Sequence, residues 1–202
     1  MFSPVFLVFF SYIIYTDMTV SAEQYRRIYD MLNHVEVLPY DCGRLCHSVC
    51  CQPENDRDMG MYLFPGEEAV HDQKDPWLFW RKVKASDHQF PPGWPEEVWY
   101  VNCYGPAYCK RKKRPLQCRF FPVTAHLDEE DQLSLVRFDL ELPYYCPLLE
   151  ESFELNEDWL EAVWQAYSIL LSDPAVYDMI KQESNDRIRI NHQIHITYKK
   201  EA

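Results

Sequence analysis

Eight cysteines in 202 residues, four of them packed into "DCGRLCHSVCC" from Asp41 to Cys51, constrain this chain more than any other feature. The first group is Cys42, Cys46, Cys50 and Cys51; the second is Cys103, Cys109, Cys118 and Cys146. Four thiolates fill one tetrahedral zinc sphere or hold one iron–sulfur cluster. If Cys42 to Cys51 is helical, positions 42, 46 and 50 advance by about 40° each, so three sulfurs line one edge. Cys51 is then turned about 100° from Cys50, and His47 about 100° from Cys46. On that geometry the adjacent cysteines serve two sites or a multi-iron cluster, and His47 lies outside the ligand set.

A disulfide framework is the competing reading. The count is even, and an apolar N-terminus would place the chain in an oxidising compartment. Against it, residues are 47% hydrophobic and 15% aromatic, enough for a core that needs no staples. Four thiols on one helical edge also cannot pair with good disulfide geometry. Isolated packing cysteines explain any single position but not the clustering. The spacing favours a cysteine-bound metal, and thiolate softness suits zinc and iron alike.

The expected fold is α+β: a small irregular antiparallel sheet around the cysteine-rich metal site, with N- and C-terminal helices. Ser21 and Gln24 read as a capping box opening a helix that buries Tyr25, Ile28, Tyr29 and Leu32. Met61–Phe64 and "EVWYVN" read as strands, with an irregular segment between them that packs Trp77, Trp80 and Trp94. "CRFFPVTAH" and "QLSLVRFDL" around an acidic turn read as a hairpin, with Leu133, Leu135 and Phe138 inward. Asn156 caps a helix carrying Trp159, Leu160, Val163, Trp164, Tyr167, Leu170 and Leu171, and Pro174 starts another. Ile188, Ile190, Ile194, Ile196 and Tyr198 alternate, which predicts a late strand. Glu67–Glu68 and Glu129–Glu130 read as solvated turns, and His192 with His195 as a weak metal pair on opposite strand faces.

Three parts result: an apolar extension over 1–17, a cysteine-cluster metal-binding domain over 18–150, and a helical segment with a strand-like tail over 151–202. The extension is shorter than the roughly 20 residues a membrane helix needs, and no Lys or Arg precedes its apolar run. The readings are a translation start at Met18, a signal peptide cleaved near Val20–Ala22, a membrane anchor or a buried strand. A formal charge of −12 argues against nucleic acid as a partner. No stable membrane span is expected.

The segment "CKRKKRPLQCRFFP" resembles the C-x4-R-P-x2-C-R-x-F-P block of the YkgJ-type cysteine-cluster family, whose members are described as chelating zinc or iron. Cys109, Arg114, Pro115, Cys118, Arg119, Phe121 and Pro122 match it, and Cys42, Cys46, Cys50 and Cys51 stand where the family's upstream cysteine block belongs. The upstream gaps are one residue longer here, and Arg111 stands where an aromatic is common. The resemblance spans Cys42 to about Cys146. It implies a cytoplasmic protein with a zinc, iron or iron–sulfur cofactor, its centre structural or redox-active. Relatives that methylate flagellin lysines make a metal-dependent modifying enzyme the alternative, and a secreted disulfide-stabilised binding module is a third. The basic run from Lys110 to Arg114 suits thiolate neutralisation better than nucleic-acid binding, and Arg119 shares that supporting role.

Overall fold

Ser21 opens the first helix as its sequence predicts. Its Oγ accepts from Gln24 N at 3.3 Å while Gln24 Oε1 accepts from Ser21 N at 2.9 Å. The helix, α1 (Ala22–Asn33), buries Tyr25, Ile28, Tyr29 and Leu32, the stripe expected from 3.6-residue periodicity. The structure is a computed structural model describing residues 19–52, 60–139, 141–190 and 194–200. The expectations for residues 1–17 and a start at Met18 fall outside the described residues, as does His192.

The architecture is α+β with two small antiparallel sheets rather than one. In the first, β1 (Met61–Tyr62), β2 (Leu78–Lys84) and β3 (Glu97–Cys103) are ordered β1-β3-β2. In the second, β4 (Val123–Leu127), β5 (Leu133–Arg137) and β6 (Ile196–Tyr198) run in chain order. Strand β2 corrects the expectation of an irregular segment: it pairs with β3 along its whole length, from Leu78 opposite Cys103 to Lys84 opposite Glu97. Its exposed face hides it from an apolar-pattern reading. Cross-strand pairs hold both faces, with Arg81 over the Tyr100 ring on one and Lys82 bonded to Glu97 at 2.7 Å on the other.

The β4–β5 hairpin forms as expected, with Leu135 fully buried and Leu133 and Phe138 half-buried. The second cysteine block, however, lies on a short helix, α3 (Leu116–Phe120), before the cis Phe121–Pro122 peptide. Asn156 Oδ1 accepts from Asp158 N at 2.9 Å and caps α4 (Glu157–Leu170). Helix α5 (Pro174–Ile190) runs further than predicted, so Ile188 and Ile190 are helical and the strand begins only at Ile196. Burial of Ile180, Ser184 and Arg187 on one helical face, with Arg187 Nε bonded to Asp139 Oδ2 at 3.0 Å, outweighs the alternating pattern.

One hydrophobic core runs from Val20 to Ile180 and includes residues before and after position 150. Phe120 of α3 sits in it, against Tyr167 of α4 at 4.6 Å and Phe64 at 6.2 Å between ring centroids. That placement fixes α3, and with it the cysteine it carries. Among the described residues no helix is long and apolar enough to cross a membrane.

Candidate metal centre

The single cysteine-bearing helix is replaced by two short pieces. The first, α2 (Gly43–Cys46), ends where His47 and Ser48 take left-handed backbone at φ 55° and 58°. A 3-10 turn, Val49–Cys51, follows. The reversal is built locally: Asp41 Oδ1 accepts from Gly43 N at 3.0 Å, and Ser48 N donates to Gly43 O at 3.0 Å. A Cβ at Gly43 would meet Ser48 Oγ at 2.2 Å, so a larger residue there would have to turn the Ser48 hydroxyl aside.

This reversal changes what Cys51 faces. Instead of turning away from Cys50, its Sγ lies 3.7 Å from the Cys50 Sγ. Cys103 ends β3, Cys109 follows the 3-10 turn Pro106–Tyr108, Cys118 is inside α3, and Cys146 precedes the 3-10 turn Pro147–Leu149. All eight are free thiols. Cys42, Cys46, Cys50, Cys51, Cys118 and Cys146 line one cavity of about 110 Å³. Cys103 and Cys109 stand next to it, within electrostatic reach of Cys118.

The basic run divides its work. Arg114 Nε donates to Cys109 Sγ at 2.9 Å, and Arg114 lines the cavity. Arg111 reaches back across the site to Asp41 at 2.6 Å and Glu36 at 3.1 Å, tying the two cysteine blocks together. Lys110 and Lys113 both bind Asp75 and so do not neutralise thiols. Arg119 lines the cavity but donates to Asn33 Oδ1 at 3.1 Å and lies over the Tyr29 ring.

The thiols are electrostatically unequal. The hydrogen bond from Cys50 pushes the Cys51 thiol down to about 6, with burial opposing and Arg114 and Arg111 assisting. The same contact, with burial, raises Cys50, so the pair shares one negative charge. Burial pushes Cys118 up to about 12 and also raises Cys42, Cys103 and Cys146. In metal-free protein, iodoacetamide should therefore alkylate Cys51 first, its rate rising through a midpoint at about pH 6. Peptide mapping over a pH series checks this; a common midpoint for all eight thiols would contradict it.

Sequence reasoning missed Glu67. It is wholly buried, not part of a solvated turn. Its Oε1 accepts from Tyr29 Oη and Leu116 N, both at 2.8 Å, and its Oε2 from Phe64 N at 3.0 Å. One carboxylate thus ties α1, the end of β1 and the start of α3. The signal available was its place in "YLFPGEEAV", an acid following an apolar run. Glu129 and Glu130 are exposed as expected, and His195 pairs with Glu151 at 3.5 Å.

Among the described residues, no three or more His, Cys, Asp or Glu side chains are arranged, as they stand, to hold a metal ion. The donor chemistry does fit a soft or borderline metal: free thiols, one of low pKa, beside a guanidinium that offsets thiolate charge. Comparisons of the chain with protein-family models, curated proteins and solved structures gave no match.

Proposed function

We propose that the chain is a metal-binding cysteine-cluster protein, its cofactor zinc or an iron–sulfur centre. The observation that carries the reading is the cavity lined by six free cysteines drawn from three distant stretches of the chain. The residues that would hold the metal are drawn from Cys42, Cys46, Cys50, Cys51, Cys118 and Cys146, with Cys103 and Cys109 as the outer thiols. Arg114 donates to Cys109, and Arg111 keeps the blocks together. A bound zinc would act as a structural cross-link, whereas an iron–sulfur cluster would supply one-electron chemistry. The resemblance to the YkgJ-type family supports the same reading.

Cys118→Ser tests it. Its side chain enters the site from α3, which the core fixes, so the chain cannot readily substitute another donor. Metal affinity should fall by more than about tenfold, the loss common for even an outer partner of a ligand. Because bound thiols must lose protons, affinity in the parent protein should also rise with pH as Cys50 and Cys118 are deprotonated. Unchanged metal occupancy in the variant, measured by elemental analysis, would exclude Cys118 as a ligand.

A further inference from the structure

A second cavity, of about 310 Å³, opens between α1, the segment Val70–Asp72 and the start of β2, and no cysteine lines it. Tyr29 and His71 reach it from the buried Glu67 network. Tyr29 Oη donates to Glu67 Oε1 at 2.8 Å, so its lone pair accepts from His71 Nε2, also at 2.8 Å. That order puts a ring proton on Nε2, and in the neutral ring it leaves Nδ1 as an acceptor with no protein partner among the described residues. The buried side-chain atoms without partners are Trp80 Nε1, Trp94 Nε1 and Asp173 Oδ2, so Nδ1 is not sealed away.

The charges around the cavity balance. Asp75 is taken up by Lys110 and Lys113, at 2.5 and 3.0 Å. Arg26 and Lys112 then supply two positive charges, and Asp30 and Asp72 two negative ones. A simple anion or cation gains from one pair and is repelled by the other, whereas a ligand carrying both signs satisfies both. Trp77 and Leu78 add an apolar wall, and the volume is that of a small ligand site.

We propose that this cavity binds a small zwitterion of the apolar amino-acid class. Its carboxylate lies with Arg26 and Lys112, its ammonium group with Asp30, Asp72 and His71 Nδ1, and its side chain against Trp77 and Leu78. No cysteine lines the site, although Lys112 borders both cavities, and it stands whether or not the thiols hold metal.

The test is calorimetric titration of the full chain, as purified, with L-leucine and L-phenylalanine. Two leucine analogues accompany them, 4-methylpentanoate without the ammonium group and 3-methylbutylamine without the carboxylate. At least one amino acid should bind and neither analogue should. Arg26→Gln and Asp72→Asn alter exposed side chains, and each should weaken binding by about tenfold or more with thermal unfolding unchanged. Absence of binding by either amino acid up to about 10 mM would overturn the proposal, because specific recognition at this size requires more. Equal binding of an analogue, or affinity unchanged in both variants, would overturn it as well.

Discussion

Replacing Glu67 with alanine should cost the protein about 4 kcal/mol, a large share of the roughly 5–15 kcal/mol that holds a typical domain together. The substitution leaves Tyr29 Oη, Phe64 N and Leu116 N without the wholly buried carboxylate that accepts from them. An unsatisfied buried donor costs about 1–3 kcal/mol, and Tyr29 alone keeps a second partner in His71. Glu67→Gln should cost less, about 1–2 kcal/mol, because one oxygen survives and one amide group faces a donor. Urea unfolding monitored by tryptophan fluorescence separates the two variants. A cost below about 1 kcal/mol for Glu67→Ala would show that the carboxylate does not organise these segments. Because Leu116 begins the helix that carries Cys118, the alanine variant should also lose metal affinity.

Stripping the metal should produce the second large effect. Binding to the folded state alone stabilises by about 4 kcal/mol when free metal is 1,000 times the dissociation constant. For a chain of 202 residues that corresponds to a melting temperature lower by about 8–16 °C after chelation. The loss should be concentrated where the proposed metal would link segments: the α2 reversal, α3 at Cys118 and the turn after Cys146. Differential scanning calorimetry with and without chelator reads the shift, and re-addition of the metal should reverse it. Identical melting curves would show that the thiols do not bear on folding.

What the sequence made legible follows from how local each signal is. The capping box at Ser21, the Asn156 cap and the buried stripes of α1 and α4 depend on neighbours within one or two turns, and they form as read. The alternation from Ile188 gives a strand only at Ile196–Tyr198, because burial of Arg187 and its bond to Asp139, both tertiary facts, keep Ile188 and Ile190 helical. Strand β2 was hidden because its faces are built from lysine, arginine and aromatic pairs, not from apolar alternation. At the candidate site, the residue types were legible and the path was not. Left-handed backbone at His47 and Ser48, neither of them glycine, carries no strong sequence signal, yet it brings Cys51 beside Cys50. Glu67 looked solvated because its partners are a tyrosine 38 residues earlier and an amide 49 residues later.

The adjacent Cys50 and Cys51 lie at the heart of the candidate centre. Their shared charge beside Arg114 and Arg111 makes one of the two a thiolate, the form that binds metal, while the other would release its proton to solvent on binding. The direct measurement is elemental analysis of anaerobically purified protein, with its absorption spectrum. The expected result is zinc or iron near stoichiometric with the chain, and a broad band at about 400 nm only if the metal is cluster iron. Fully folded protein carrying neither metal, with all eight thiols free, would contradict it.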